Sequence, residues 1–315
     1  MLKNEIESYQ KPVFFDHKGS LDDFIALMSI LTLDKYCISG ITYTPGFCKN
    51  NNALETTHSI LDIFCHSNLP LAVCKEPLRN EYSYDRNILC ISPDVFNNSE
   101  IQKPLNVPQT ANEDAAGFTA EILLNTVSKT IVIATGPATN LVSTLEKYPE
   151  VADKIERILW VGGAFLCDGN VIAPDHDGSA EWNFFADPHA AEKLLSLGIP
   201  VTLFPLDTVT QYPLDNYLLY HLENNSKKRL SRIAYQLLKP AYEIHHDFCI
   251  GSVMPSVYLG MPNIFQLDSK SIKVEPRGTS MGNIYRSTMG NRIKQASCID
   301  EEQFYDYLIS CFGKF

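Results

Sequence analysis

Short hydrophobic segments that alternate with helical ones constrain the fold of this 315-residue chain more than any other feature. Each segment is strongly apolar, as expected of strands that are buried on both faces of a sheet. Strands that alternate with helices build βαβ units. The sequence therefore predicts an α/β fold, with a single domain over residues 1–315 and a mainly parallel central sheet flanked by helices. The predicted strands are residues 13–15, 38–44, 71–73, 130–134, 158–163 and 201–204.

The remaining segments supply the helices and connections that such a fold needs. A proline directly after Asp187 predicts a helix that begins there. Residues 78–112 are polar and rich in Pro and Asn, which favours a long surface excursion. Beyond the last predicted strand we expect mostly helix to about Tyr258, then short strands and a terminal helix from Glu301. Four earlier segments have helical periodicity: residues 24–33, 51–64, 113–127 and 138–147.

The charge and the cysteines argue against several classes of protein. The formal net charge is −11, whereas a nucleic-acid-binding face needs a basic stripe that displaces counterions. The nine cysteines show no zinc-binding spacing, which favours free thiols in a reducing compartment. No stretch approaches the roughly 18 apolar residues of a membrane helix, and the polar N-terminus does not resemble a signal peptide. We therefore expect a cytoplasmic protein that binds neither nucleic acid nor membrane.

Two common nucleotide-binding motifs are absent from the sequence. The chain has no G-x-x-x-x-G-K-[ST] loop, which a phosphate-binding NTPase requires. It also has no G-x-G-x-x-G after its first predicted strand, which argues against a Rossmann dehydrogenase. Ligands of parallel sheets bind at the carboxyl ends of the strands. The polar residues that follow the strands are therefore the candidates for function.

Carboxylates crowd the turn after the first predicted strand. Asp16, Asp22 and Asp23 lie within eight residues, together with Lys18 and Ser20. Carboxylates this close repel one another unless a cation or hydrogen-bond donors compensate their charge. Ser20 or Asp22 can also serve as the N-cap of the helix that follows. The turn is therefore either a ligand or cation site or a capping arrangement.

The turn resembles the Asp-x-Asp-x-x-x-Asp-Asp signature of the nucleoside hydrolase family. The similarity runs in sequence order from about Val13 to Phe265. The segments Asp-His-x-Gly-x-Leu-Asp-Asp-Phe and Gly-x-Ala-Glu-Trp-Asn look most like the purine-preferring branch. The resemblance implies the α/β fold of that family and hydrolysis of the N-glycosidic bond of ribonucleosides. The other matching segments are residues 135–140, 160–165, 169–171, 180–184, 187–188 and 204–208.

The resemblance also implies a calcium ion that is held by signature carboxylates, a turn carbonyl and a distant Asp. In the family this ion binds the ribose 2′- and 3′-hydroxyls and orients the attacking water. By position, Asp16, Asp22 and Asp23 keep the first, third and fourth signature aspartates, and Thr135 keeps the carbonyl. The second signature aspartate is Lys18, and the distant Asp is Ser252. Asp247 can substitute only if its segment is rebuilt. Because Ca²⁺ takes about six to eight oxygen ligands, we expect a degenerate site and no tightly bound cofactor.

The change to lysine has consequences for catalysis. We expect the Lys18 ammonium to occupy the place of the ion, paired with Asp23 and with Asp16 or Asp22. Nearby carboxylates keep a lysine protonated, and a protonated lysine cannot act as a general base. Hydrolysis is therefore expected to be severely reduced or absent. The alternative is that Lys18 turns outwards as an ordinary surface lysine.

A second group of residues matches the ribose-binding side of the family. By position, Asn170, Glu181 and Asn183 match residues that hydrogen-bond the sugar hydroxyls. Asp22 is expected to accept from a ribose hydroxyl, and Ser20 stands where the purine-type enzymes use Asn. Amides and carboxylates suit this role because each hydroxyl needs both a donor and an acceptor. The alternative for Glu181 and Asn183 is helix capping.

The resemblance leaves the ligand and the activity open. His245 and His246 fall in the segment that forms a lid over the base in the family, where one can act as an acid or simply fill a surface position. Gly46 occupies the purine-contact position, so protonation of the base there is also expected to be lost. The two functions in competition are impaired hydrolysis of purine ribonucleosides and non-catalytic binding of a ribosylated small molecule. A homo-oligomer is also left open.

Overall fold

A computed structural model describes residues 10–46, 52–80 and 114–314 of the chain. The surface excursion predicted over residues 78–112 therefore lies, apart from residues 78–80, outside the described residues. The described strands are β1 (Lys11–His17), β2 (Tyr36–Tyr43), β3 (Leu71–Val73), β4 (Thr130–Ala134), β5 (Ile155–Val161), β6 (Val201–Phe204), β7 (Phe265–Val274), β8 (Ile284–Arg286) and β9 (Asn291–Ile299).

Helices cover the sheet and connect its strands. The helices are α1 (Leu21–Leu31), α2 (Asn52–Ile63), α3 (Ala115–Asn125), α4 (Thr139–Lys147), α5 (Trp182–Ala186), α6 (Pro188–Ser196), α7 (Leu206–Val209), α8 (Asn216–Asn224), α9 (Arg229–Ile244), α10 (Met254–Gly260) and α11 (Glu301–Phe312). Short 3₁₀ turns at Pro149–Lys154, Gly251–Val253 and Pro262–Ile264 complete the described elements.

The described strands form one nine-stranded sheet in the order β3-β2-β1-β4-β5-β6-β9-β7-β8. Strand β1 pairs in parallel with β2 on one side and with β4 on the other, so the strand order reverses between β1 and β4. A crevice at the carboxyl ends of the strands is expected at such a switch point. The observed sheet confirms the predicted α/β class. The residues that follow β1 and β4 are therefore expected to border a ligand site.

The apolar strands are buried on both faces, as their sequence predicts. Phe14 and Phe15 are each fully buried, but they lie in the two different hydrophobic clusters on opposite sides of the sheet. Ile133 and Val132 of β4 divide between the same two clusters. Helices α1, α9, α10 and α11 pack on the Phe15 side, and α3, α4 and α6 on the Phe14 side. This packing fixes the carboxyl end of β1, from which the site is built.

The C-terminal part of the sheet differs from the prediction of short strands. Strand β7 has 10 residues and β9 has nine. Strand β9 pairs in parallel with β6 and antiparallel with β7, which in turn pairs antiparallel with β8. Polar residues alternate with apolar ones along β7, because this edge region is only partly buried. The prediction was wrong here because long strands with partly solvated faces lack a continuous apolar run.

The composition-based predictions concern thiols and membrane spans. All cysteines within the described ranges are free. In the same ranges, no helix has the length and apolar character needed to cross a bilayer.

Asp187 links two helices beside the switch point. Helix α6 begins at Pro188, as predicted, and the Asp187 side chain caps it by accepting the Ala190 N–H at 3.1 Å. The same carboxylate accepts the Thr139 hydroxyl of α4 at 3.0 Å and pairs with the Arg79 side chain at 3.4 Å. Asp187 therefore fixes the position of α6 relative to α4.

We predict that Asp187→Ala lowers the free energy of unfolding by about 1–2 kcal/mol, because the helix loses its cap. Asp187→Asn keeps an oxygen that can accept the Ala190 N–H, and its NH2 can donate to the Thr139 hydroxyl. It loses the charge opposite the exposed Arg79 guanidinium, an interaction of little net value. Urea unfolding of the three proteins checks this. An Asn variant as unstable as the Ala variant would contradict the capping role.

Candidate functional site

A cavity of about 610 Å³ opens at the carboxyl ends of the central strands. Val161 and Phe204, the last residues of β5 and β6, lie in its wall, as does Lys18, which directly follows β1. Cavities of this size accommodate small-molecule ligands. The position is the one that the topology of the sheet predicts for a ligand site.

The cavity brings together residues from distant parts of the sequence. Asp247 and His245 line it at its more exposed side, whereas His246 and Gly46 do not lie in this wall. Asp23 and Ser20 are buried behind the wall. The residues expected to bind a ligand or replace a metal ligand that do line the cavity are Lys18, Asp22, Asn170, Glu181, Asn183 and Ser252.

The Lys18 side chain is buried and points inwards. Only 8% of its surface is exposed, so the alternative of an ordinary surface lysine is wrong. Its Nζ donates a hydrogen bond to the Thr135 carbonyl at 2.7 Å and contacts Asp23 Oδ1 at 3.4 Å. The ammonium therefore lies between the turn after β4 and the start of α1.

The local sequence explains this geometry. Gly19 has a φ of +78°, a left-handed conformation that glycine adopts without strain, and it turns the chain from β1 into α1. A Cβ on Gly19 would lie 2.6 Å from the Ala53 side chain, so the close packing also requires glycine. Asp23, in the first turn of α1, accepts the backbone N–H groups of Ser20 at 2.9 Å and of Lys18 at 3.2 Å. Ser20 stands at the N-cap of α1, as the capping alternative predicted for Ser20 or Asp22, and Asp23 adds to this cap by accepting the Ser20 N–H.

The charges of Lys18 and Asp23 support one another. Burial opposes the charge on each group, but their mutual attraction, together with neighbouring charges and hydrogen bonds, outweighs it. The Lys18 ammonium holds the pKa of Asp23 below its usual range. Neighbouring carboxylates, chiefly that of Asp23, raise the pKa of Lys18 above its usual value despite burial. Lys18 is therefore protonated at neutral pH.

Asp22 has a different set of partners from Asp23. Its Oδ1 accepts the Ser20 hydroxyl at 2.5 Å, and its Oδ2 accepts the Ser252 N–H at 3.0 Å. Asp22 thus connects α1 to the turn at Gly251–Val253 while its side chain lines the cavity. Ser20 lies behind Asp22, so its hydroxyl orients a cavity residue rather than forming part of the wall.

Asp16 faces a buried polar cluster in the sheet. Its Oδ1 accepts the Thr42 hydroxyl at 2.8 Å, and Asn140 donates to the same hydroxyl oxygen at 3.2 Å. Burial raises the pKa of Asp16 to about 7, although its hydrogen bonds act in the opposite direction. Of the carboxylates considered as partners for Lys18, Asp23 is the one in ion-pair contact.

The residues expected to bind ribose are held firmly by the backbone. Glu181 caps α5 by accepting the Phe184 N–H at 3.3 Å, and it accepts the Gly163 N–H at 3.0 Å. Burial raises the pKa of Glu181. Asn170 Oδ1 accepts the Trp182 N–H at 2.8 Å. Both side chains nevertheless line the cavity, so capping and ligand contact are compatible here.

Asn183 connects this side of the cavity to the lysine. Its Nδ2 donates to the Thr135 carbonyl at 3.1 Å and to the Val161 carbonyl at 2.8 Å. The Thr135 oxygen therefore accepts from both Asn183 and Lys18. The Asn183 Oδ1 is buried at the cavity and has no hydrogen-bond partner in the described protein, so it can accept a ligand hydroxyl.

The site does not fit the calcium ion that the family resemblance implies. The Thr135 carbonyl and Asp23, which would be ligands, already contact the Lys18 ammonium. Ca²⁺ needs about six to eight oxygens, several of them carboxylates. Within the described part of the chain, no group of three or more His, Cys, Asp or Glu residues is placed to hold a metal. Asp247 is exposed, whereas Asp23 is fully buried. Among the described residues, Asp247 therefore completes no such group.

Several cavity residues were not predicted as ligand contacts, although Trp182, Phe204 and Leu206 lie in segments that match the family. Asp168 precedes the predicted Asn170, and its proximity in sequence was the one available hint. The apolar part of the wall comes from four separate segments, which only the tertiary fold brings together. These residues are Ile172, Trp182, Phe204, Leu206, Val209 and Phe248.

The structure is thus an α/β protein whose cavity, lined by both polar and apolar residues, is of the kind that binds small molecules. The profile of the inosine-uridine preferring nucleoside hydrolase family matches residues 13–306. This chain therefore belongs to the nucleoside hydrolase family, as the sequence motifs predicted.

Individual relatives show the same relationship. The pyrimidine-specific ribonucleoside hydrolase RihA of Salmonella paratyphi B is 27% identical over 279 residues, which cover 85% of each protein. The inosine-uridine preferring nucleoside hydrolase of Bacillus anthracis has a TM-score of 0.87 at 25% identity, over 97% of this chain and 100% of that one. A purine-preferring ribonucleoside hydrolase of Gardnerella vaginalis has the same fold, with a TM-score of 0.79 at 21% identity over 96% and 98% of the two chains.

His17, next to Lys18, is a buried histidine beneath the site. It is fully buried and stacks on the Phe15 ring with centroids 5.1 Å apart. Neither ring nitrogen has a hydrogen-bond partner in the described protein. Burial lowers the pKa of His17 to about 4, from an ordinary value of 6.5. The folded protein therefore holds this ring neutral.

We predict that His17 makes the protein less stable in mild acid. Between pH 6.5 and about 4 the unfolded chain binds a proton at His17 and the folded chain does not, so stability falls as the pH falls. The variant His17→Phe keeps a ring in the stack and should lose less stability between pH 7 and pH 5, as measured by urea unfolding. His66→Gln, at an exposed histidine, should leave the pH dependence as it is. Equal pH dependence in wild type and His17→Phe would refute the prediction.

Proposed function

We propose that this chain binds a ribonucleoside, or another small ligand that carries ribose, and that its calcium-dependent hydrolysis is severely reduced or absent. The observation that carries the proposal is the hydrogen bond from Lys18 Nζ to the Thr135 carbonyl at 2.7 Å. This bond, together with the contact to Asp23, puts a protein ammonium among the oxygens that would bind the ion.

The loss of catalysis follows from the chemistry of the lysine. A general base contributes about 10²–10⁴-fold to a hydrolytic rate, and a metal that activates water adds to this. Lys18 supplies neither, because its carboxylate neighbours raise its pKa and keep it protonated. The ammonium stabilises the carboxylates of the site, but it takes no proton from water.

Retained binding is supported by the polar wall of the cavity. Asp22, Asn170, Glu181 and Asn183 line it from three segments, and each carries an oxygen that can accept from a sugar hydroxyl. The apolar residues that also line the cavity offer surface to a planar base. A ribosylated ligand matches this combination of polar and apolar lining.

Purine ribonucleosides are the proposed ligands within this class. The segment from Asp16 to Phe24 and the Ala-Glu-Trp-Asn sequence look most like the purine-preferring branch of the family. The relatives act on different bases: the Salmonella enzyme is pyrimidine-specific, and the Gardnerella enzyme is purine-preferring. A binding test therefore needs both kinds of nucleoside.

Hydrolysis without calcium is the second candidate function. Asp22 and Glu181 lie in the cavity wall and can offset the positive charge of an oxocarbenium-like transition state. Water would then need another base, and Asp168 and Asp247 are the remaining carboxylates of the described wall. This candidate predicts turnover that is insensitive to chelator.

The first experiment measures ribose release from inosine, guanosine, adenosine and uridine, with calcium or with chelator, beside calorimetric titration of the same nucleosides. We expect binding, strongest for a purine nucleoside, with turnover at least about 100-fold below that of an active family enzyme. Turnover that chelator abolishes would contradict the proposed site. Failure of all four nucleosides to bind would contradict retained ligand binding.

We predict that the double variant Lys18→Asp, Ser252→Asp gains a calcium site. Calcium at about 100 times its Kd should raise the melting temperature of this variant by roughly 5 °C, because an ion that binds only the folded state stabilises it. The wild-type melting temperature should not respond. The control variant Lys129→Asp, Ser128→Asp makes the same charge change at two exposed residues, and it should show no calcium-specific shift. An equal shift in wild type would disprove the exclusion of calcium by Lys18.

A further inference from the structure

Two neighbouring walls of the cavity come from the segments that follow β5 and β6. The loop of residues 162–170 supplies Gly162, Asp168 and Asn170 to one wall. Helix α7 and the residue after it supply Leu206, Val209 and Thr210 to the other. The spacing of these two walls sets the width of the cavity at the carboxyl ends of β5 and β6.

The two segments begin with ordinary backbone contacts. Gly162 N–H donates to the Phe204 carbonyl at 3.1 Å, and Leu206 N–H donates to the Gly163 carbonyl at 2.8 Å. These bonds continue the pairing of β5 with β6 for a short distance. They do not reach the middle of the loop, which lies between Gly163 and Asn170.

The Asp207 carboxylate holds the middle of the loop. Asp207 lies in α7, and its Oδ2 accepts the Phe165 N–H at 2.7 Å. Its Oδ1 accepts the N–H groups of Leu166 at 2.7 Å and of Cys167 at 3.3 Å. One carboxylate thus receives three consecutive backbone donors. Hydrogen bonds to an ionised acceptor are stronger than those between neutral groups.

Hydrophobic packing in the middle of the loop is limited to Phe165, which is half-buried against the cluster on the Phe14 side of the sheet. The Leu166 side chain is 87% exposed, so it buries little surface that could fix the loop. The two ends are held by other residues, because Gly163 N–H donates to Glu181 and Asn170 N–H donates to Ala180. Asp168, directly after the three bound amides, is the wall residue whose position depends most on Asp207.

We propose that Asp207 is a positioning residue for the ligand. Its carboxylate fixes the loop of residues 162–170 relative to α7 and thereby orders Asp168 before a ligand arrives. A pre-ordered wall lowers the entropy that binding costs. The proposal rests on the proposed function, since it assumes that the cavity binds a ribosylated ligand. Asp207 itself lies outside the cavity wall.

The test compares Asp207→Asn with Asp215→Asn. The matched residue Asp215 is also a half-buried aspartate that accepts a backbone N–H, from Leu218 at 2.9 Å, but it caps α8 away from the cavity. Amide hydrogen exchange of the ligand-free proteins and calorimetric titration with inosine and uridine are the measurements. A third variant, Asp207→Glu, keeps the carboxylate and serves as the rescue.

For Asp207→Asn we expect exchange at residues 168–170 to become about tenfold faster and the nucleoside Kd to rise about tenfold, because the amide replaces one acceptor with a donor. Asp215→Asn should change neither quantity, and Asp207→Glu should restore most of the affinity. Three results would each overturn the positioning role: exchange that is faster only at residues 165–167, an unchanged Kd, or an Asp207→Asn variant that does not fold.

The outcome separates this proposal from the proposed function. If wild-type protein binds neither inosine nor uridine, retained ligand binding is contradicted for those nucleosides. The exchange rates at residues 168–170 still decide whether Asp207 orders the loop, because they are measured without ligand. Slow exchange at these residues in both the wild type and Asp207→Asn would reject the inference by itself.

Discussion

The buried Lys18 ammonium is the interaction on which the architecture of the site depends. It bonds to the Thr135 carbonyl after β4 and contacts Asp23 in α1, so it joins the two strands at the switch point of the sheet. A buried charge is tolerated only when it is paired and hydrogen-bonded. Asp23 meets this condition and is held in turn by the N–H groups of Ser20 and of Lys18 itself. The turn after β1 is therefore an electrostatic unit in which the protein itself supplies the cation.

The Thr135 carbonyl oxygen also connects this unit to the ligand side of the cavity. The Thr135 carbonyl accepts from Lys18 and from Asn183, so the ammonium and the amide have fixed relative positions. Asn183 lies in α5 and also donates to the Val161 carbonyl at the end of β5. Glu181, the N-cap of α5, accepts the Gly163 N–H of the loop after β5. The polar wall is thus held by the same carbonyl that accepts from the ammonium. Under the proposed function, the chain keeps the ligand contacts of its family and loses the metal-dependent reaction.

The sequence predicted the part of the structure that depends on local patterns. The buried strands around β1 and β4, the helix start at Pro188 and the position of Lys18 beside the carboxylates could all be read from residue order. The long strands β7 and β9 could not, because their partly solvated faces lack a continuous apolar run. The hydrogen bonds from three consecutive amides to Asp207 could not be predicted either, because they depend on how the loop after β5 lies against α7, which is distant in sequence.

The most direct measurement of the central claim is a crystal structure of the wild-type protein grown with millimolar calcium and inosine, with anomalous data collected at long wavelength to locate calcium. We predict continuous density for Lys18 Nζ at the Thr135 carbonyl, no anomalous peak between Thr135 and Asp23, and inosine with its ribose against Asn183 and Glu181. A calcium peak bonded to the Thr135 carbonyl and Asp23, with Lys18 displaced from the site, would contradict the claim.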